Sequence, residues 1–282
     1  MKRKTLRAFL VMMLAGAAFS AKAQNGLENI VIEKYYVANA ADAANANTAL
    51  AGAGYATGTL PAGSVTYRIY ADLAPGWALQ TVYGEAGHPL VLTTSTNFFN
   101  HPNGDVNAGP LPSNNALIVG DGTTILDSYL SSGAAASGRF AVTKDEDGVA
   151  GGANYTFSPA GVMANVDPTA GLAVSVADGI FNTAGSPSLL SMNFLGDAAG
   201  SPVAIFRDGS TVGGTFNSTN CVWGVLGDQQ GAFPAGTNRV LIGQFTTSGI
   251  FTYALNLQIR NTSTFAIQKF VANNPTGSEI KL

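Results

Sequence analysis

The sequence predicts an all-β protein, an antiparallel β-sandwich of the jelly-roll or immunoglobulin-like kind with long loops rich in Gly, Asn and Ala. Short segments with strand-like alternation or apolar runs recur along the chain. Turn signals separate them, in keeping with 34 glycines and 12 prolines. No segment carries the apolar stripe of a long amphipathic helix, and no repeat of fixed period indicates a solenoid or a propeller.

Residues 1–23 have the pattern of a secretory signal peptide. A basic start, Met1–Arg7, precedes an apolar run, Ala8–Phe19, and an A-x-A cleavage signal, Ala21–Ala23. The apolar run is shorter than the roughly 20 residues that span a bilayer. We therefore expect export, with Gln24 as the first mature residue. The expected location is secreted or outer cell surface, with no transmembrane segment after cleavage.

The mature chain, residues 24–282, is expected to be one large β-sandwich domain, with a split near residues 100–140 as the alternative. The signal region removes five of 14 Lys and Arg residues, which leaves nine against 17 Asp and Glu, a formal net charge of −8. Nucleic acid is excluded as a partner, because phosphate contacts need clustered basic side chains. The single Cys221 excludes an intramolecular disulfide.

The first predicted strand is Asn25–Val37. Both of its faces are mixed, which is typical of an edge strand or of a strand that crosses between sheets. The next segment, Ala38–Pro61, is small, polar and interrupted by Asn and Gly. Since it lacks an apolar stripe at helical spacing, it is interpreted as a long surface loop.

Three strands are predicted within Gly63–Asn100, the stretch with the densest aromatic content: Val65–Asp72, Ala78–Tyr83 and Leu90–Thr96. Pro75-Gly76 and the segment Glu85–Pro89 are the turns between them. Because both connections are short, the strands are expected to pair in sequence as an antiparallel meander.

The second half of the chain adds further strands after a Gly- and Pro-rich loop. A short helix is expected within Thr123–Leu130. Two hairpins are predicted, one at Asp208–Ser210 and one at Thr247–Gly249. The later predicted strands are Gly138–Lys144, Leu172–Val176, Leu189–Phe194, Pro202–Arg207, Thr211–Phe216, Cys221–Leu226, Arg239–Thr246, Ile250–Ile259 and Phe265–Ala272.

The aromatic side chains of the central stretch have two interpretations. Trp77, Tyr70, Tyr83 and the pair Phe98-Phe99 could form a stacking platform for sugar rings, which would make the protein a carbohydrate-binding module. Large aromatic residues are more often buried in a core. Trp77, directly after the Pro75-Gly76 turn, is the one expected to be exposed, and it is a candidate ligand-binding residue.

The turn between the second and third central strands holds two further candidate ligand-binding residues, Glu85 and His88. His88 precedes Pro89, so its backbone is restricted to extended conformations. Asp72 and Glu85 could act as the carboxylate pair of a secreted glycoside hydrolase, although carboxylates at strand ends are ordinary surface groups. The chain has no G-x-S-x-G pattern to position a nucleophile. No catalytic residue is assigned, and the protein is predicted not to be an enzyme.

An acidic cluster at residues 145–147 is the candidate metal site. Asp145 and Asp147 could bind Ca²⁺ through carboxylate and carbonyl oxygens. The EF-hand pattern fails, since Thr143 and Asn154 occupy the two positions where that motif needs carboxylates. A solvated β-turn is the alternative, and no other cofactor is predicted.

Several segments spread over most of the mature chain carry a family resemblance. They are the central stretch GSVTYRIYADLAPGWALQTVYGEAGHPLVLTTSTNFFN, the opening GLENIVIEKYYVANAADA, Asp127–Leu130, Asn165–Pro168 with the following AGLAVSVADGI, and the closing TNRVLIGQFTTSGIFTYALNLQI and VANNPTGSEI. In these segments the chain resembles a group of uncharacterised secreted β-rich proteins of gliding-type Gram-negative bacteria with type IX secretion. The resemblance implies a secreted protein, and the group has no established activity.

Together these features predict an extracellular or cell-surface protein that acts by binding, adhesion or assembly. The basis is export, abundant strands, a charged fraction of only 11% and the lack of a catalytic motif. The expected partner is a surface glycan, another protein or a second copy of the chain, since strand-rich ends allow strand addition. A carbohydrate-binding module is the alternative, and a secreted hydrolase is the weaker one.

Overall fold

The computed structural model describes residues 25–55, 59–108, 123–136, 139–144, 146, 155–157, 162–165, 179–181, 202–229 and 238–282. The predicted signal peptide and the predicted strands Leu172–Val176 and Leu189–Phe194 lie outside these ranges. Within them, no helix combines the length and the apolar character needed to cross a lipid bilayer.

The described residues form one α-helix, 17 strands and short 3-10 turns, two of which are Thr124–Leu126 and Pro202–Phe206. The helix is α1 (Ala40–Gly52). The strands are β1 (Leu27–Val37), β2 (Val65–Leu73), β3 (Trp77–Gly84), β4 (Leu90–Thr94), β5 (Tyr129–Leu130), β6 (Ala134–Ala136), β7 (Arg139–Ala141), β8 (Tyr155–Phe157), β9 (Val162–Asn165), β10 (Ile180–Phe181), β11 (Thr215–Ser218), β12 (Cys221–Gln229), β13 (Arg239–Thr247), β14 (Phe251–Ala254), β15 (Asn256–Asn261), β16 (Ile267–Val271) and β17 (Ile280–Lys281).

These strands form four sheets. The largest has six strands in the order β5-β13-β2-β1-β9-β8, and the next has five in the order β12-β3-β15-β16-β17. Two three-stranded sheets, β11-β4-β14 and β10-β7-β6, complete the set. Two pairings, β1 with β9 and β16 with β17, are parallel, and the other described pairings are antiparallel. The predicted all-β, antiparallel sandwich class is confirmed.

The six-stranded sheet is covered on both faces at β2. On one face Ile69 shares the main apolar core with Val82 and Leu257 of the five-stranded sheet. On the other face Tyr70, the next residue of β2, belongs to a second apolar cluster that includes Leu50 of α1. This alternation follows from the two-residue period of a strand.

The predicted meander of β2, β3 and β4 is wrong, although the three strands lie where the alternation placed them. β2 pairs with β1 and β13, β3 pairs with β12 and β15, and β4 pairs with β11 and β14. The short turns therefore carry the chain from one sheet to another, as at the corners of packed sheets. The predicted hairpin at Thr247–Gly249 is wrong for the same reason, because β13 pairs with β2 whereas β14 pairs with β4.

Two other strand predictions are corrected. β1 is an interior strand between β2 and β9 and not an edge strand, and its mixed face exists because Glu33 is buried. Pro202–Phe206 is a 3-10 turn and not a strand, so Asp208–Ser210 does not close a hairpin. Proline at its first position has no N–H to donate to a neighbouring strand. The short helix expected within Thr123–Leu130 is a single 3-10 turn.

The interpretation of Ala38–Pro61 as a loop is wrong for Ala40–Gly52, which is the helix α1. The side chain of Asn39 accepts hydrogen bonds from the N–H groups of Ala41 and Asp42, and Asp42 accepts one from the N–H of Asn39. This reciprocal capping box satisfies donors that a helix start leaves unpaired. The helix body is rich in alanine, which has the highest helix propensity.

The buried face of α1 explains why no apolar stripe is visible in its sequence. The buried residues are Asp42, Ala46 and Leu50, which are spaced four apart and share one face. Ala46 is small and Asp42 is a carboxylate, so only Leu50 adds a large apolar side chain to this face. The Asp42 carboxylate is satisfied in this position, because the hydroxyl of Tyr36 donates to it at 2.8 Å.

Candidate functional site

Glu85 and His88 close the turn between β3 and β4. The N–H of each donates to the carbonyl oxygen of the other, at 3.1 Å for Glu85 and 3.0 Å for His88. Gly87 has a φ of 96°, a conformation that only glycine adopts readily. The turn therefore fixes the relative positions of the two residues that the sequence singled out.

Glu279, near the C-terminal end, completes a cluster that we call the turn cluster: Glu85, His88 and Glu279. Nε2 of His88 lies 3.1 Å from Oε2 of Glu279. One ligand atom from each of the three residues lies within 4.8 Å of the other two. The Glu279 carboxylate is held by Thr276, whose N–H and hydroxyl donate to it at 2.7 and 3.0 Å. These hydrogen bonds, the backbone one first, lower the pKa of Glu279 below its ordinary value.

The His88 ring is oriented by a backbone carbonyl. The side chain is only 8% exposed, and its Nδ1 lies 3.0 Å from the carbonyl oxygen of Asn273. A carbonyl can only accept, so Nδ1 carries the proton and Nε2 of the neutral ring is an acceptor. Nε2 then faces an oxygen of Glu279, which is also an acceptor. The arrangement is complete only with a positive species, a proton or a metal ion, between them.

Tyr83 lies beside the turn cluster. Its side chain is 8% exposed, and its buried hydroxyl has no hydrogen-bond partner among the described residues. Burial raises the pKa of Tyr83 to about 12, and the negative charges of Glu85 and Glu279 add to the shift. The hydroxyl therefore lies within the field of both carboxylates. Nζ of Lys269 lies 5.6 Å from the centre of the Tyr83 ring.

An open groove of about 480 Å³ adjoins the turn cluster, and its lining includes Asn273, whose carbonyl oxygen contacts His88. Its walls come from the start of β1, from the β14–β15 junction and from the last residues of the chain. They include Leu27, Tyr253, Phe270 and Ile280. The groove and the turn cluster thus both depend on the C-terminal segment remaining docked.

Trp77, the third candidate from the sequence, is half-buried and packs against the main core. Its indole ring lies against Gly26, where a side chain would overlap it. Tyr70, Tyr83, Phe98 and Phe99 are buried, so the aromatic residues of the central stretch are chiefly core residues. A carbohydrate-binding role for Trp77 stays a prediction.

No contact between Asp72 and Glu85 is found among the described residues. Asp72 lies 3.6 Å from Nε of Arg239, and burial raises its pKa above the ordinary value. The proposed calcium ligands Asp145 and Asp147 lie outside the described residues. Glu146, between them, accepts a hydrogen bond from Thr143 at 2.8 Å and lies 3.7 Å from Nη1 of Arg239.

A row of buried polar residues crosses the six-stranded sheet and was not predicted from the sequence. Arg68 on β2 stands opposite Glu33 on β1 and Gln244 on β13, and Gln244 stands opposite Tyr129 on β5. All four side chains are fully or almost fully buried. The available signal was a single charged residue between Tyr67 and Ile69 on β2, and one between Val31 and Tyr35 on the same face of β1.

Aromatic rings and backbone groups contact most of this polar row, whereas Nη2 of Arg68 has no hydrogen-bond partner among the described residues. The guanidinium carbon of Arg68 lies 3.7 Å from the centre of the Tyr35 ring, and Nη1 donates to the carbonyl of Gly179 at 2.7 Å. The Glu33 carboxylate accepts from the backbone N–H of Lys144 at 2.9 Å. The row lies inside the protein, so its evident role is to hold the layers together.

Comparison of the chain with protein-family models, with curated proteins and with solved structures finds no match. The fold and the geometry of its surface are therefore the observations on which a function can be proposed.

Proposed function

We propose that the chain is an exported, cell-surface β-sandwich protein that acts by assembly with copies of itself and not by catalysis. The signal-peptide pattern at residues 1–23 and the low charged fraction support export and an extracellular setting. The observation that carries the assembly proposal is the open outer edge of the five-stranded sheet.

That edge is formed by β16 and β17. β17 pairs with β16 only at Phe270 and Val271, through Ile280 and Lys281. Along the preceding segment, 267–269, no described strand pairs with β16 on this side. An unpaired row of backbone donors and acceptors is a template for a further strand.

Two large apolar side chains are exposed where this edge begins. Phe265 is 63% exposed and Ile267 is 57% exposed. Phe265 has a φ of 60°, an uncommon backbone conformation for an aromatic residue, and Arg260 lies 5.0 Å over its ring. A strand that pairs with the open edge of β16 would also cover Phe265 and Ile267.

A second copy of the chain is the occupant that fits this edge. Antiparallel pairing of β16 with β16 of another copy about a two-fold axis would be self-complementary, as in most homodimers. Lys269 and Lys281 would bring like charges together across such a contact. We therefore expect association to strengthen as salt screens this repulsion.

The test is the oligomeric state of residues 24–282 by light scattering and sedimentation across a wide range of protein and salt concentrations. We expect the mass to rise with both. Ile267→Lys should yield a monomer, because a third lysine would stand on the open edge. The matched control is Ile250→Lys, since Ile250 is 76% exposed in the turn between β13 and β14. A wild-type protein that stays monomeric throughout would overturn the assembly proposal, as would an Ile267→Lys variant that associates normally.

A further inference from the structure

We propose that the turn cluster, Glu85, His88 and Glu279, binds a divalent transition-metal ion of the Zn²⁺ type. This inference does not depend on self-assembly, because the three residues join a turn to the C-terminal segment of the same chain. Glu85 and His88 were already candidate ligand-binding residues. The proposal adds Glu279 to them and names the ligand as a metal ion.

The spacing of the three residues suits such an ion. Ligand atoms about 2.0–2.2 Å from Zn²⁺ in tetrahedral geometry are roughly 3.2–3.6 Å from one another. The nitrogen of His88 and the oxygen of Glu279 already lie 3.1 Å apart, and all three ligand atoms lie within 4.8 Å. A small rotation of the half-buried Glu85 side chain would close the remaining distance.

The orientation of His88 is the arrangement found around metal ions. A ligating histidine usually donates its other ring N–H to a carbonyl or a carboxylate, which fixes the tautomer and directs the free nitrogen at the metal. The Asn273 carbonyl has that role here. The free Nε2 faces a carboxylate oxygen, and a cation between them removes the repulsion of two lone pairs.

Tyr83 is an independent sign of a missing group. Its hydroxyl is buried beside the turn that holds Glu85 and His88, and it has no hydrogen-bond partner in the described part of the chain. A buried donor without a partner destabilises the folded state. A three-residue zinc site keeps a fourth position for water, and such a water is the partner that this hydroxyl lacks.

The donor set selects the kind of ion. One imidazole nitrogen with two carboxylates favours Zn²⁺ and its first-row neighbours, whereas Ca²⁺ prefers six to eight oxygen ligands. Lys269 lies near the cluster and partly offsets its negative charge. The charge of a divalent ion equals that of the two carboxylates in magnitude.

The experiment is calorimetric titration of metal-free residues 24–282 with ZnCl2 and, separately, with CaCl2. We expect one equivalent of Zn²⁺ to bind and to raise the melting temperature, and Ca²⁺ to do neither. Glu85→Gln is the decisive variant, because no hydrogen bond of its side chain is found within the described residues. We expect it to weaken Zn²⁺ binding by about tenfold or more, since changes in the outer shell alone weaken binding by about 10–100-fold.

His88→Gln and Glu279→Gln should abolish the Zn²⁺ effect, and Glu28→Gln, at an exposed carboxylate of the neighbouring groove, should leave it unchanged. In the wild type, Zn²⁺ should also slow proteolysis within residues 273–282, because the ion ties this segment to the turn. The proposal is wrong if Zn²⁺ releases no heat of binding, or if Glu85→Gln and His88→Gln bind it as tightly as Glu28→Gln does. In that case a protonated His88 paired with Glu279 explains the geometry.

Discussion

Arg68 and Gln244 stand directly opposite each other on β2 and β13, and Nε of Arg68 donates to Oε1 of Gln244 at 2.9 Å. The Gln244 amide in turn donates to the carbonyls of Ile125 and Asp127, at 2.8 and 2.7 Å. One side-chain pair thus ties two strands of the central sheet to the segment that enters β5. Because these groups are fully buried, each depends on the others for its hydrogen bonds.

We expect Arg68→Met to lower the free energy of unfolding by about 3–5 kcal/mol, because it removes the cation that faces buried Glu33. Urea unfolding, with the slope compared between variants, is the measurement. The matched control is Lys34→Met on the same sheet, where the lysine is exposed and the change should stay within about 0.5 kcal/mol. Equal effects of the two substitutions would contradict a structural role for the polar row.

The stability of the protein should fall between pH 10 and pH 12. Burial raises the pKa of Tyr129 to about 12, whereas a tyrosine in the unfolded chain titrates near 10. Between these values Tyr129 keeps a proton in the folded state that it loses in the unfolded state, so rising pH favours unfolding, and the contribution of Tyr129 levels off above pH 12.

Tyr129→Phe should make this alkaline decline shallower without removing it, since the pKa of Tyr83 is also raised to about 12. At pH 7 the same variant should lose only about 1 kcal/mol, for the two hydrogen bonds of the hydroxyl at 3.3 Å. Chemical unfolding at a series of pH values gives both quantities. If the free energy of unfolding falls equally with pH in the wild type and in Tyr129→Phe, Tyr129 does not contribute to the alkaline decline.

We expect Asn39→Ala to destabilise the protein by about 1 kcal/mol, because the capping box of α1 loses both acceptor contacts of Asn39. Asn45→Ala, at an exposed position inside the same helix, should instead stabilise it by a few tenths of a kcal/mol, since alanine is the better helix former. Thermal unfolding of the two variants should move in opposite directions. Melting temperatures that move in the same direction would contradict a stabilising role for the Asn39 cap.

Gly214→Ala should destabilise the protein by about 1–3 kcal/mol, because a Cβ at this position would overlap the carbonyl oxygen of Thr96. Gly52→Ala, at the end of α1, is the contrasting substitution. It meets no atom within 4 Å and should stabilise the protein by about 0.5–1 kcal/mol. Melting temperatures of the two variants test whether close backbone approach explains Gly214.

The extent of many strands could be predicted because alternation is a local property. β2 and β16 begin and end within two residues of the predicted bounds. Partner choice could not be predicted, since it depends on which distant apolar faces each strand covers. The helix α1 was missed because its buried side, Asp42, Ala46 and Leu50, carries little apolar area.

The candidate site shows the same division. Glu85 and His88 were recognisable because turn chemistry joins residues three positions apart. Glu279 could not be added from the sequence, since only the docking of the C-terminal segment brings it to His88. Arg68 and Glu33 each appeared as an ordinary charge on a strand, and their burial depends on layers built from remote parts of the chain.

The interleaved strand order has a consequence for how the molecule is made. Arg68 of β2 bonds a residue 176 positions later, and β3 and β4 gain their partners only from β11 onward. During synthesis β3 and β4 therefore remain unpaired until the final quarter of the chain has been made. Pairing between strands that are distant in sequence makes folding slow and leaves the unpaired strands accessible to chaperones. If the chain is exported as proposed, the same delay keeps it unfolded until its whole length has crossed the membrane.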